Sequence, residues 1–137
     1  MAKHFGLPTM VVFDCDGDTP TGNRKKQEED NKAIFSIMEA TEVQPFPKTI
    51  VWRDDVVAWP TKISDVIEAE ITSVELSKFK NEVRSMRGID LPNMGKNPLF
   101  IGYVMARAWE AGSKSRTLET LCDHILKFAA AAQARPG

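Results

Sequence analysis

Thr9-Met10-Val11-Val12-Phe13-Asp14-Cys15-Asp16-Gly17-Asp18 is the stretch on which the fold turns. An apolar, β-branched run enters three acids at alternate positions. The run predicts a short strand buried on both faces, as in a parallel sheet. Pro8 opens it and Gly17 closes it. A buried strand ending in Asp-x-Asp presents carboxylates at its carboxyl end, where open α/β sheets place their sites. In extended backbone Asp14 and Asp16 would share a face, because side chains alternate with period two. Two carboxylates on one face repel unless a cation or a shared proton compensates, and a hard divalent ion with oxygen ligands is the simplest compensator. Asp and Gly after a strand are also ordinary turn formers.

The rest of the chain must supply the sheet's other members. At 137 residues it is expected to be one domain with a real core. Its composition, 42% hydrophobic and 27% charged, excludes a disordered chain. A net charge of −1 gives no global attraction for nucleic acid, so such binding would need a local basic patch or a metal. Cys15 and Cys122 have no metal-ligand spacing and read as reduced thiols, so a cytoplasmic location is expected. Met1 to His4 leads into an apolar run too short for a signal peptide, and no stretch reaches transmembrane length.

Thr19 to Glu29 is polar and reads as a surface loop, in which Arg24, Lys25 and Lys26 could meet a phosphate. Asp30 is expected to cap a helix through Thr41 with Ile34, Ile37 and Met38 inward. Thr49 to Trp52 reads as a second strand. Val56 to Trp59 reads as a third strand or the second continued. Thr61 is expected to cap a helix carrying Ile63, Val66 and Ile67. Thr72-Ser73-Val74-Glu75 matches a capping box before the stripe Leu76, Phe79, Val83 and Met86. Lys78, Lys80 and Arg84 lie off that stripe and read as a solvated face. Gly88 to Gly95 reads as a loop. Asn97-Pro98 opens a helix to about Ala111, expected to be buried on most sides, and Gly112 ends it. Ser115 or Thr117 starts the last helix, with Leu118, Leu121, Cys122, Ile125 and Phe128 inward. His124 beside that stripe reads as an ordinary, partly exposed histidine.

The pattern predicts an α/β fold: a small parallel sheet with flanking helices over 1–71 and a helical half over 72–137. Lys96 stands at a helix start, where a positive charge opposes the macrodipole. A phosphate or a metal-bound oxyanion would compensate it. Asp65 and Glu70 also suit a helix N-terminus, Glu70 more than Asp65.

In order, LPTMVVFDCDGDTP, EEDNKAIFSIM, VWRDDVVAWPTKISDVIEAEI and MGKNPLFIGYVMARAW resemble the C-terminal part of the Toprim domain of OLD-family nucleases, a group that includes Gabija-type defence nucleases. The resemblance runs from Leu7 to Leu126. It implies a Toprim-like fold and metal-dependent DNA endonuclease activity, in DNA processing or anti-phage defence. Asp14 and Asp16 would be the Asp-x-Asp pair holding Mg2+ or Mn2+. Asp65 would match a later acidic metal position, and Lys96 the lysine that stabilises the transition state. The family also uses a glutamate on an earlier strand and an ATPase domain before it. The resemblance therefore implies that this chain works with an N-terminal Toprim segment and an ATPase domain or chain, as an oligomer, and is incomplete alone.

Two other readings follow from the same residues. VVFDCDGDT also resembles the first motif of haloacid-dehalogenase-type phosphatases, with Asp14 as nucleophile and Asp16 as general acid. That motif wants Thr directly after the Gly, whereas Asp18 intervenes. It also needs a later acidic pair, which Asp54-Asp55 would have to imitate. The other reading is a catalytically inactive oligomerisation or docking domain. An EF-hand is excluded, since its sixth position is Thr19 and its twelfth Lys25.

Overall fold

The computed structural model describes residues 6–88 and 97–135. Its elements are β1 (Val11–Asp14), α1 (Thr21–Ile37), β2 (Val51–Trp52), β3 (Val56–Trp59), α2 (Ile63–Glu70), α3 (Ser73–Arg87), α4 (Pro98–Glu110) and α5 (Arg116–Gln133). They form two compact units, Met1–Ile63 with Thr120–Gly137, and Ser64–Glu119. The expected α/β class holds, with a three-stranded sheet and five helices among the described residues.

In the first unit the sheet order is β1-β3-β2. β1 pairs parallel with β3, from Val11 opposite Val56 to Asp14 opposite Trp59. β2 pairs antiparallel with β3 through a tight turn in which Arg53 N–H donates to the Val56 carbonyl. The sheet is therefore mixed rather than parallel, because Val56–Trp59 returns as a hairpin strand. β3 is central and every one of its residues is buried. β1 lies at the sheet edge among the described strands, with Val12 41% exposed. The expectation of a strand buried on both faces fails here: an apolar run does not reveal how many neighbours it will have.

One face of the sheet packs on α1. Phe35 and Met38 meet Cys15, Val56 and Ala58, and the Phe13 and Phe35 ring centroids are 5.3 Å apart. On another side of the sheet, Trp52 stacks edge-on against Trp59 at 6.4 Å. The half-buried His124 ring of α5 sits 5.5 Å from Trp52, with its Nε2 on the Arg53 carbonyl.

α1 begins at Thr21, so most of the expected loop over Thr19–Glu29 is helix and Asp30 is not its cap. Those turns are charged all round, and hydropathy gives no sign of them. After the poor formers Thr21, Gly22 and Asn23, Arg24 to Glu29 are good helix formers, and Lys26–Asp30 and Glu28–Lys32 pairs at i,i+4 spacing tie the turns. The inward residues are Phe35 and Met38, while Ile37 is exposed.

The second unit is built on an α3–α4 pair. Leu76, Phe79 and Val83 of α3 pack on Phe100, Val104 and Ala108 of α4, with Ile71 closing the cluster. A large apolar side chain contributes about 1.5–3 kcal/mol when fully buried. The capping box forms: Thr72 Oγ1 accepts from Glu75 N–H and donates to its carboxylate. Gly88 ends α3 in the left-handed region, at φ 60°, as a helix-terminating glycine does. Asn97 caps α4 through the N–H groups of Leu99 and Phe100. α4 is not buried on most sides: Leu99, Ile101 and Trp109 are exposed. Met86 is exposed as well, one turn beyond the α3 contact. Cys122, Ile125 and Leu126 of α5 are exposed too, although Cys122 and Ile125 are expected inward.

Acids tie this unit's segments together. Ser115 caps α5 by accepting from Leu118 N–H. Glu70, the last residue of α2, accepts from the Ser115 hydroxyl and from the N–H and hydroxyl of Thr117. Glu75 accepts from the Ser113 hydroxyl at 2.9 Å. Burial pushes the Glu70 carboxyl up, but the Ser115 and Thr117 hydrogen bonds and the Arg116 charge outweigh it and hold it below its ordinary value. A lowered folded value means that the ionised clasp stabilises fully above the unfolded carboxylate range. That contribution is lost as pH falls through the lowered value. Glu70→Gln is expected to lower Tm by about 3 °C at pH 7, a screened effect for an exposed acid. The gap should shrink as pH falls below about 4. A gap independent of pH in thermal melts would show that the carboxylate charge is not what the clasp uses.

Candidate functional site

The acidic turn after β1 is held by the backbone of β3's exit. Cys15 N–H donates to the Trp59 carbonyl at 2.8 Å, prolonging the parallel ladder past Asp14. Asp16 N–H then donates to the Thr61 carbonyl at 3.3 Å and Gly17 N–H to that of Pro60 at 2.8 Å. Asp16 adopts φ 49°, a left-handed conformation that Asp tolerates better than most residues. Thr19 N–H closes the turn on the Asp16 carbonyl. β1 ends at Asp14, so strand alternation does not extend to Asp16. The expected shared face of the two carboxylates therefore cannot be derived from an extended chain.

Gly17 is required by close approach. A Cβ there would lie 2.7 Å from the Pro60 carbonyl oxygen, a backbone atom that cannot swing aside. Gly17→Ala is expected to cost about 1–3 kcal/mol and to lower the thermal midpoint accordingly. An unchanged midpoint would mean that the turn is not pinned against Pro60.

Asp14 has a structural duty. Its Oδ1 accepts from the N–H of Ile63, the first residue of α2, at 3.0 Å. The expected cap, Thr61, instead lends its carbonyl to Asp16. Asp18 is exposed and lies 3.6 Å from Lys62, a pair worth little.

Asn31 fastens the turn to α1. It is fully buried, and its Nδ2 donates to the Cys15 carbonyl at 2.9 Å and to the Pro45 carbonyl at 2.8 Å. Gln27 donates to its Oδ1 at 3.1 Å. Arg24 Nη1 donates to the Gly17 carbonyl at 2.9 Å, and its guanidinium lies 4.1 Å over the Phe46 ring, a cation–π contact. Arg24 and Phe46 share a shallow cleft of about 590 Å³ with Gln44 and Lys48. Of the basic trio, it is Arg24 that reaches the acidic turn, while Lys26 is taken by Asp30. Sequence spacing could have signalled Arg24, one turn into a helix that starts beside the acids, had the helix start been legible.

Cys15 is buried between the two acids, and burial, then the charges of Asp14 and Asp16, push its thiol up to about 12, as desolvation and like charge must. A thiol so protonated is no nucleophile at neutral pH.

The other candidates fall elsewhere. Asp65 lies in the first turn of α2, within the second unit. Lys96 lies outside the described residues. Asp54-Asp55 sits before β3, whereas Asp14 and Asp16 close β1. The parallel register of β1 with β3 therefore puts the two acidic pairs at opposite ends of the sheet. Among the described residues, no three His, Cys, Asp or Glu side chains gather as a metal-holding group, and no helix is long and apolar enough to cross a membrane. The donors at the turn are carboxylates, which suit a hard cation. Mg2+ takes one or two carboxylates and keeps several waters, so a two-acid turn fits it better than it fits a caged ion.

No protein-family model matches the chain, and neither a curated protein nor a solved structure matches it.

Proposed function

We propose that the chain is a Toprim-like domain of a metal-dependent DNA endonuclease, acting with further segments that complete its site. The supporting observation is the Asp14-Cys15-Asp16-Gly17 turn at the carboxyl end of β1, fixed against β3's exit by three main-chain hydrogen bonds. That is the end of a parallel pair where α/β sheets carry ligands. Asp14 and Asp16 would hold Mg2+ or Mn2+, which supplies Lewis-acid stabilisation and an activated water when bound. Asp65 and Lys96 stay in the proposal as a further ligand and a phosphate contact, on the resemblance that suggested them. Arg24 sits where it can meet a phosphate beside the turn, its guanidinium held by Phe46 and Gly17. The phosphatase alternative loses its acidic pair to the sheet's opposite end, so we rank it below the nuclease.

The capping role of Asp14 dictates the test. Asp14→Asn keeps an oxygen for the Ile63 N–H and removes the charge. Asp16→Asn keeps a residue tolerant of left-handed backbone. Plasmid nicking is measured with Mn2+, with and without an added N-terminal Toprim segment. Nicking is expected to be weak alone and to rise at least tenfold with that segment. Either Asn variant is expected to lower it about 100-fold at unchanged Tm, the scale of a misplaced reacting group. Variants that nick like the wild type would overturn the assignment, as would a covalent aspartyl-phosphate on Asp14 or its beryllofluoride mimic.

A further inference from the structure

α3 carries its charges in two separate flanks. Glu75 and Glu82 lie on one. There Glu75 clasps Ser113, and Glu82 accepts from Arg107 Nε at 2.7 Å and lies 4.0 Å from Lys78. The other flank carries Lys80, Arg84 and Arg87, at i, i+4 and i+7, which places them in one stripe along the helix. No acid of α3 shares that stripe. Among the described residues none of the three has a carboxylate partner within ion-pair distance, while Glu75 and Glu82 are both engaged elsewhere. Glu68 of α2 lines a groove with Lys80 without pairing to it.

Arg87 is braced on an aromatic face, and Arg84 is held more distantly. Arg87 lies 3.9 Å over the Tyr103 ring and Arg84 5.9 Å over that of Phe100, with Arg84 Nη1 also on Asn81 at 3.3 Å. A guanidinium laid on an aromatic face keeps its in-plane N–H donors directed outward, in a fork that matches phosphate oxygens. Part of the ordering cost of a contact is thus already met in the free protein. Arginines in a last turn also complement the helix dipole. Lys80, two turns earlier, does not, and the dipole needs no acid-free stripe.

We propose that the Lys80–Arg84–Arg87 stripe binds the phosphate backbone of DNA. The three cations rise along the helix in steps of about 6 and 4.5 Å, two of them guanidinium forks suited to phosphate oxygens, and the choice of DNA as the phosphate source rests on the nuclease reading. This surface belongs to the second unit and does not depend on the metal reading of Asp14 and Asp16. Its binding is therefore tested with EDTA present, where no metal-dependent cleavage can occur.

The full chain is titrated into a fluorescein-labelled 20-base-pair duplex across a salt series, with anisotropy as the readout. Three phosphate contacts predict a slope of log K against log salt steeper by about 2–3 than that of a chain lacking them. Lys80→Gln/Arg84→Gln/Arg87→Gln keeps good helix formers. It is expected to lose that slope and to weaken binding at least tenfold at low salt, with unchanged circular dichroism. Lys78→Gln, on the opposite flank, is expected to bind like the wild type. A labelled polyglutamate of equal charge is expected to bind at least tenfold more weakly than DNA. The proposal is overturned if the wild type does not bind DNA, if the triple variant binds as well as the wild type, or if polyglutamate binds equally. The last result would make the stripe an acidic-protein site. Asp16→Asn is expected to bind the duplex in EDTA like the wild type while losing nicking with Mn2+, which separates this surface from the metal site.

Discussion

Three main-chain hydrogen bonds, from Cys15, Asp16 and Gly17 to the carbonyls of Trp59, Thr61 and Pro60, fix the end of β1 to the exit of β3. Everything at the candidate site depends on them. They draw the chain so close to Pro60 that position 17 has no room for a Cβ. They bend Asp16 into the left-handed region. They also carry Asp14 to the start of α2, where its carboxylate meets a helix N-terminus. Asn31 completes the arrangement from the α1 side, its buried amide supplying the Cys15 carbonyl with a donor, as a buried carbonyl requires.

Acids in this protein have structural roles that their chemistry alone would not announce. Asp14 serves Ile63 across 49 positions of sequence, and Glu70 serves Thr117 across 47. In each case a carboxylate from one element satisfies orphan N–H groups at the start of another. A strand-end aspartate can therefore stand where it does for capping alone. The Asn substitutions separate the two roles, because Asn retains the cap and gives up the charge a cation needs. The Cys15 thiol, held protonated by burial and by both acids, takes no part in either.

What the sequence revealed was local. The apolar run before the acids, the Thr72–Glu75 capping box, the Asn97-Pro98 helix start and Gly112 as a stop each follow from chemistry within a few residues, and each is present. What escaped it was relational. A run of β-branched residues does not say whether it will have one sheet neighbour or two, so β1 borders a sheet that its composition would place it inside. The first turns of α1 have no apolar stripe; i,i+4 ion pairs and a start beside Pro20 make them helical. The antiparallel return of β3 along β2 depends on a turn at Arg53–Asp55 that reads equally as a continuation. The Arg24–Phe46 stack joins residues far apart in sequence, which periodicity cannot detect.

A divalent cation held by the turn from Asp14 to Asp18 is most directly tested by paramagnetic broadening of backbone amide resonances with substoichiometric Mn2+ in the full chain. Broadening should centre on Asp14–Asp18 and on Thr61–Ile63, which the hydrogen bonds hold against the turn, and it should vanish in Asp16→Asn while the spectrum otherwise stays folded. Broadening centred elsewhere, or unchanged in that variant, would contradict it.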